Sequence, residues 1–329
     1  EVLCDELKHR ARFFSPVIKS TLDELFSGIH EFKTHDNAPI VQTIPQNTDK
    51  DFIYRVRTVH SEKEVEIILR EPVTELGAPP KNIAASGRMN PIGVPVFYGA
   101  LDSSTCISEV RPSVGSFAVL GKFSILRELK VLNLDLLQKL VVKGSYFNPE
   151  SNERWGKAKF LRKIVKQLTK PVMPSDEHLE YLPTQAIAEY FAEIIEPKID
   201  GIIFNSSQVA NKGKNIVLFN HASVVEPYEK DHPSEISVNF GWEDEDDYDD
   251  TISIFEKRTE KTEQENLGKE KSIPFDFKSF SQNSDFLVDD YDNREISLRL
   301  NVNDIDILEI NGVAYDSTSR TAIRQVSGD

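Results

Sequence analysis

The sequence predicts an α+β fold with a mostly antiparallel sheet, preceded by an N-terminal helical segment and followed by an acidic C-terminal extension. Between Asp51 and Tyr228, short runs rich in Val, Ile, Leu, Phe and Tyr interleave with helical patterns, but without a strict strand–helix–strand period. A charge-rich stretch with few apolar residues follows, and β character returns only near the end of the chain. We therefore divide the chain into residues 1–50, 51–228 and 229–329.

Composition excludes several classes of protein. Hydrophobic residues make up 39% of the 329 residues, which argues against collagen-like, fully disordered and multi-spanning membrane proteins. The net charge of −15 argues against direct nucleic-acid binding, because most of the surface repels phosphate. Cys4 and Cys106 lack the spacing of a zinc site or a disulfide framework. No apolar run approaches the roughly 18 residues of a membrane span, so we expect a cytoplasmic location.

The N-terminal segment predicts a broken helix or a short helical pair that packs against the next domain. After Pro16, apolar residues recur at helical spacing, namely Leu22, Leu25, Phe26 and Ile29. From Thr34 to Lys50 the chain is polar, contains two prolines and sustains no period, which is typical of a linker.

The central segment carries most of the predicted elements. Candidate strands are Phe52–Thr58, Glu66–Leu69, Val96–Ala100, Phe117–Ile125, Val131–Leu134, Gly201–Asn205 and Ile216–Phe219. Candidate helices are Ser104–Val110, Glu153–Leu168 and Thr184–Ile195, the last with Thr184 as its N-cap after Pro183.

The last segment predicts solvated loops and then a β-hairpin. Glu243–Asp250 is an acidic run, and Glu256–Lys271 mixes charges with almost no apolar residue. The acidic run lacks the Gly and the final Glu of an EF-hand loop, so we expect no metal site there. Candidate terminal strands are Ile296–Leu300, Ile305–Ile310 and Val313–Tyr315, with a turn at Asn311-Gly312 between the last two.

The densest run of unusual residues lies between Ser86 and Pro112. Gly and Pro break its first part into a loop that places Arg88 just before a strand carrying Tyr98. Asp102 or Ser103 can then cap a short helix that ends near Glu109. We expect the loop Arg, the strand Tyr and the helix Glu to converge on one cleft. The alternative is a structural salt bridge between Glu109 and Arg88 or Arg111.

Two further clusters lie downstream. Tyr181–Phe191 contains Gln185 and has the pattern of an amphipathic helix, whose ordinary role is packing. Asp200–Gln208 is a buried strand that ends in two hydroxyl residues, Ser206 and Ser207. A strand end is a common place for a binding residue, although a Ser that caps a turn is the ordinary explanation.

Together these clusters resemble the RES-domain family, named for an Arg, a Glu and a Ser, whose characterised members degrade NAD. The resemblance covers roughly residues 51–228 and follows five motifs in order: Phe52–Arg57, Gly87–Tyr98, Thr105–Pro112, Tyr181–Gln185 and Asp200–Ser207. It implies a fold similar to ADP-ribosyltransferases of the diphtheria-toxin type, with NAD held in a cleft of a small α+β domain.

The resemblance also implies a set of site residues. The family's Arg, Glu and Ser match Arg88, Glu109 and Ser206, which are the implied catalytic residues. The implied NAD-binding residues are Tyr98, either Arg55 or Arg57, the adjacent Ser207, and Tyr181 and Gln185 of the fourth motif. The sequence does not decide between the two upstream arginines.

These residue types suit cleavage of the bond between nicotinamide and ribose. The reaction passes through an oxocarbenium-like state, which a carboxylate such as that of Glu109 stabilises. A guanidinium matches a pyrophosphate, which suits Arg88 and the upstream Arg. Tyr98 can stack on nicotinamide and Ser206 can donate to ribose or carboxamide. NAD is then a substrate rather than a cofactor, and the scheme requires no metal.

The resemblance leaves the acceptor and the biological setting open. Phosphate would make the protein an NAD phosphorylase, water an NAD glycohydrolase, and a protein side chain an ADP-ribosyltransferase. RES proteins commonly act as toxins blocked by an antitoxin with a helix-turn-helix domain, so we expect such a regulatory partner or a role in phage defence. A homo-oligomer is a further expectation. The alternative from another class is a non-catalytic module whose cleft binds a nucleotide or a peptide.

Overall fold

The computed structural model describes residues 16–46, 51–141, 149–170, 172–173, 175–209, 213–228, 234–244, 247–249, 252–258 and 294–314. Its α-helices are α1 Pro16–Phe26, α2 Glu62–Arg70, α3 Pro72–Leu76, α4 Ser103–Val110, α5 Leu134–Gln138, α6 Pro149–Thr169 and α7 Glu177–Glu189. Its strands are β1 Val41–Ile44, β2 Phe52–Val59, β3 Phe97–Ala100, β4 Phe117–Ile125, β5 Leu129–Asn133, β6 Gly201–Asn205, β7 Lys214–Leu218, β8 Ser234–Asn239, β9 Trp242–Asp244, β10 Asp247–Asp249, β11 Ser253–Arg258 and β12 Leu298–Glu309. Within these residues no helix is both long enough and apolar enough for a membrane span.

The main sheet has the strand order β1-β5-β6-β7-β3-β2-β4-β12. Strands β5 and β6 run parallel, and the other neighbouring pairs run antiparallel. The predicted α+β class with a mostly antiparallel sheet is therefore confirmed. The C-terminal strand β12 is a member of this sheet rather than a separate unit, since it pairs with β4.

Helices cover both faces of the sheet. Successive side chains of a strand point to opposite faces, so the buried residues of the sheet divide between two cores. Leu132, Ile202 and Val217 face one core with α1, α6 and α7, whereas their strand neighbours face a second core with α2 and α3. In the first core, the ring of Phe26 meets that of Phe191 at 4.6 Å between centroids. The predicted packing of the N-terminal helix is thus confirmed for the described residues, and residues 1–15 lie outside them.

The predicted strand Glu66–Leu69 is wrong, because these residues belong to helix α2. Ser61 caps that helix by accepting a hydrogen bond from the backbone N–H of Glu64 at 3.4 Å. Val65, Ile68 and Leu69 then fall on one buried helical face. A short apolar run fits either period, and the Ser-x-x-Glu capping pattern was the signal that decides between them.

Two other predictions for local structure are also wrong. The predicted linker contains β1, which is joined to the sheet by backbone hydrogen bonds to β5. Helix α7 begins at Glu177, so Pro183 lies inside it and Thr184 is not its N-cap. The Thr184 hydroxyl instead donates to main-chain carbonyls, among them that of Tyr181 at 2.8 Å.

The described residues of the C-terminal region contain more strands than the composition suggests. Within the predicted acidic loop, β9 pairs with β10, and the start of the charge-mixed stretch belongs to β11, which pairs with β8. The ladder is made by backbone N–H and C=O groups, which every non-proline residue carries, so a polar sequence does not prevent strands there. Two predicted terminal strands merge into β12, with an irregular register between Leu300 and Ile305. The turn at Asn311-Gly312 is not confirmed, because residues 310–314 form no strand and Tyr315 lies outside the described residues.

Candidate functional site

A cleft of about 490 Å³ lies where β2, β3, β6 and β7 meet α4, α7 and the end of α6. Its wall includes six of the residues that the sequence singled out: Arg55, Arg88, Tyr98, Glu109, Tyr181 and Ser207. The predicted convergence of a loop Arg, a strand Tyr and a helix Glu is therefore confirmed. The volume lies in the range typical of small-molecule sites.

Arg55 lies at a seam in the sheet. Strands β2 and β3 share a single register position, Tyr54 opposite Ala100. Arg55 Nη1 donates to the carbonyl of Tyr98 at 3.0 Å, and its guanidinium lies 5.2 Å from the centre of the Phe97 ring. Burial lowers the pKa of Arg55, although an arginine stays charged at neutral pH. A partly buried cation thus forms one wall of the cleft.

Arg57 lies outside the cleft, although it shares a strand face with Arg55. Its guanidinium forms an ion pair with Glu75 of α3, and its side chain is largely exposed. The structure therefore favours Arg55 over Arg57 as the upstream arginine of the site.

If the cleft acts on NAD, as the resemblance implies, Arg55→Lys should raise the KM for NAD about tenfold or more, because an ammonium cannot reproduce the fork of a guanidinium. Arg57→Lys is the matched control on the same strand, and it should change KM less than about twofold, since its ion pair is exposed. Steady-state release of nicotinamide measures both. Equal increases in KM for the two variants would show that Arg57 also belongs to the site.

Arg88 is tied to the end of helix α6. Its Nη1 donates to the carbonyls of Leu168 and Lys170 at 2.7 and 2.8 Å, where the helix leaves carbonyl groups without helical partners. The guanidinium also lies 5.4 Å from the centre of the Tyr181 ring. One nitrogen thus anchors Arg88, and the residue joins the Ser86–Pro95 loop to the opposite wall.

Tyr98 and Gln185 hold that loop in place. Tyr98 Oη accepts a hydrogen bond from Met89 N and donates to Asn90 Oδ1, both at 2.9 Å. Burial raises the pKa of Tyr98, so the phenol keeps its proton. Gln185 Nε2 donates to the carbonyls of Gly87 at 2.8 Å and Asn90 at 3.0 Å. The resemblance implied that Gln185 binds NAD in the cleft. In the structure Gln185 supports the loop and does not line the cleft.

The loop needs glycine at position 87. A Cβ atom there would lie 2.6 Å from both Tyr98 Oη and Asn90 Oδ1. These two atoms already bond to each other, so neither can move away without breaking the anchor.

Glu109 stands in the last turn of α4, whose N-cap is Asp102, accepting from Thr105 N at 2.8 Å. Glu109 Oε1 accepts hydrogen bonds from Ser206 Oγ at 2.5 Å and Asn215 Nδ2 at 2.7 Å. No ion pair joins Glu109 to Arg88 or Arg111 among the residues that the structure describes, so the salt-bridge alternative is wrong. The carboxylate lies at the cleft wall with its second oxygen uncommitted to these two donors.

Ser206 is fully buried and does not reach the cavity. Its hydroxyl donates to Glu109 and accepts from Gln208 N at 3.1 Å. The expectation that Ser206 donates directly to the substrate is therefore replaced by a role in fixing Glu109. Ser207, one position further on, does line the cleft.

The comparison with known families agrees with this geometry. The family model described as the RES domain matches residues 53–242, more than half of the 329 residues. The chain belongs to the RES-domain family. No curated protein and no solved structure matches it.

Three residues of this RES domain line the cleft and were missed as site residues. Asn215 bonds to Glu109, Glu177 Oε1 accepts from the Tyr181 hydroxyl at 3.0 Å, and Arg111 lies beside Glu109. Arg111 has a φ of 48°, a left-handed conformation that a non-glycine residue seldom adopts. A polar residue inside an apolar strand was the available signal for Asn215. Glu177 had none, since it precedes the predicted helix.

Proposed function

We propose that this RES domain cleaves the nicotinamide–ribose bond of NAD and transfers the ADP-ribosyl group to phosphate or water. The observation that carries the proposal is the Glu109 carboxylate, which two buried donors hold by one oxygen at the wall of a cleft that also contains Arg55 and Arg88. A carboxylate and guanidinium groups in one cleft match a substrate that has a cationic sugar centre and a pyrophosphate.

The bond between C1′ of the ribose and the ring nitrogen breaks, and its electron pair goes to the nitrogen, which releases neutral nicotinamide. Positive charge then develops on the ribose. Glu109 stabilises that charge most effectively if its carboxylate is already oriented, because no reorganisation is then needed during the reaction. The acceptor oxygen then forms the new bond to C1′. A water acceptor gives up a proton to the solvent, whereas phosphate attacks through an oxygen that is already deprotonated.

The two arginines bind the pyrophosphate in this proposal. Arg55 and Arg88 each use Nη1 for main-chain carbonyls. Among the described residues, Arg55 makes no other side-chain hydrogen bond, whereas Arg88 also interacts with the Tyr181 hydroxyl. Arg111 adds a third guanidinium to the same wall. The rings of Tyr98 and Tyr181 offer flat surfaces for the nicotinamide or adenine base.

The acceptor decides the biological class. Phosphorolysis or hydrolysis would deplete NAD, as expected of a toxin or a phage-defence effector held in check by a helix-turn-helix antitoxin. Transfer to a protein side chain would instead make the domain an ADP-ribosyltransferase. The family's known activity favours NAD breakdown.

Product analysis tests the proposal. Purified protein is incubated with NAD, with and without inorganic phosphate, and the products are separated by chromatography and identified by mass spectrometry. If water is the acceptor, we expect nicotinamide and ADP-ribose in both reactions. If phosphate is the acceptor, we expect nicotinamide and a phosphorylated ADP-ribose only where phosphate is present. Intact NAD beside a folded protein that binds NAD would identify a non-catalytic binding module, and ADP-ribose found only on protein would identify the transferase.

A further inference from the structure

Asn215 is the second donor to the Glu109 carboxylate, and no motif of the sequence analysis included it. We propose that Asn215 is a positioning residue that fixes the orientation of the Glu109 carboxylate for the reaction. This inference rests on the proposed function, since it concerns the same cleft.

The first argument is the place of Asn215 in the sheet. Strand β7 lies between β6 and β3, and the next three residues, Ile216, Val217 and Leu218, are fully buried. Asparagine is depleted in strands, where β-branched and aromatic residues are preferred. A polar residue on an inner strand departs from the preference for apolar residues there, and such departures concentrate at functional sites.

The second argument is geometric. Ser206 follows β6 and Asn215 lies on the adjacent β7, yet both donate to the same carboxylate oxygen, Oε1. Two donors from different strands define both the position and the direction of the carboxylate, whereas one donor would allow it to turn. The other oxygen, Oε2, receives no hydrogen bond from the part of the chain that the structure describes. It is therefore the oxygen that a substrate can meet.

The third argument is energetic. Asn215 is 7% exposed, and its buried Oδ1 finds no hydrogen-bond partner among the described residues. A buried acceptor without a partner is destabilising, because it has given up its hydrogen bonds to water. By contrast, Asn133 is also buried but uses Oδ1 for two backbone N–H groups and Nδ2 for Gln42. Asn215 therefore contributes little to the stability of the fold. The hydrogen bond from its Nδ2 to Glu109 is the contact that explains an asparagine at this position.

The test compares Asn215→Ala and Asn215→Asp with the wild type and with Asn133→Ala as the matched buried control. For Asn215→Ala we expect kcat for nicotinamide release to fall about tenfold to a hundredfold, with KM changed less than about threefold and Tm close to wild type. Asn215→Asp keeps the shape but places a second carboxylate against Glu109, so kcat should fall at least as far. Asn133→Ala should lower Tm and leave kcat per folded molecule unchanged.

The outcomes separate this inference from the proposed function. An active wild type with an equally active Asn215→Ala would overturn the positioning role alone. So would a variant whose kcat falls only in proportion to its folded fraction, as the Asn133 control would reveal. A wild type that folds but never releases nicotinamide would overturn both.

Discussion

Replacing Glu109 with glutamine is expected to lower kcat for nicotinamide release about 10³-fold while the protein stays folded. The substituted amide keeps an oxygen that can accept from Ser206 and Asn215, so the local packing is retained. What is lost is the negative charge beside the developing positive charge on ribose. A factor of 10³ corresponds to about 4 kcal/mol of transition-state stabilisation, the size expected for one preorganised electrostatic contact.

The matched control for this change is Glu177→Gln, which alters the other acidic side chain that lines the cleft. Glu177 already accepts the Tyr181 hydroxyl and has no pair of buried donors, so we expect a loss below about tenfold. Single-turnover release of nicotinamide, Tm and the Kd for NAD are measured for both variants. A larger loss for Glu177→Gln than for Glu109→Gln would exchange the roles of the two carboxylates.

The largest expected effect on stability is that of Asp200→Ala. Asp200 Oδ1 lies 2.7 Å from Arg127 Nη2, and Oδ2 accepts from Lys130 N at 2.8 Å. Arg127 Nε also donates to Ser297 at 2.9 Å, so the pair links the sheet core to the segment before β12. Removing Asp200 leaves the mostly buried Arg127 guanidinium with only the exposed carboxylate of Glu295, 3.3 Å from its Nε. We expect the free energy of unfolding in urea to fall by about 3–5 kcal/mol.

Asp304→Ala is the control, since Asp304 pairs with Lys122 on the surface of the sheet. It should lower the free energy of unfolding by less than about 1 kcal/mol. Similar losses in the two variants would show that the Asp200 pair behaves as an exposed one.

The same carboxylate predicts a dependence on acid. Burial alone would raise the pKa of Asp200, but the His221 ring 3.3 Å away and hydrogen bonds from Arg127 and the backbone of Lys130 outweigh it and lower the pKa from 3.8 to about 2. The stabilisation is therefore complete above the unfolded value and is lost as pH falls through about 2. Urea unfolding of wild type and Asp200→Ala should accordingly converge across this window.

Much of the sheet could be predicted from sequence because its strands have strong apolar patterns. β4 is confirmed at both ends, and β6 likewise. The strand β1 and the pairs β8–β11 and β9–β10 could not be predicted, because their residues are polar and their pairing depends on distant backbone. The predicted strand within α2 is wrong because a run of three apolar residues, Ile67–Leu69, fits two periods.

Part of the candidate site could likewise be predicted from sequence, and part could not. Arg88, Tyr98 and Glu109 belong to contiguous motifs, and their convergence could be predicted from loop, strand and helix order. The choice between Arg55 and Arg57 could not, because strand alternation places both on one face and only the neighbouring Glu75 separates them. The link from Ser206 and Asn215 to Glu109 spans 97 and 106 residues, a distance that local pattern does not reach.

The position of β12 has a consequence for how the chain is made. All the cleft residues lie between positions 55 and 215, but the outer edge of β4 is closed by a strand whose Asp304 lies 182 residues beyond its partner Lys122. During synthesis, the β4 edge therefore stays unpaired until residues 298–309 have left the ribosome. Open strand edges recruit other chains, so the nascent protein passes through a stage at which it is prone to self-association. When β12 pairs with β4, it becomes the edge strand itself, and its charged residues Asp304, Asp306 and Glu309 disfavour pairing with another chain.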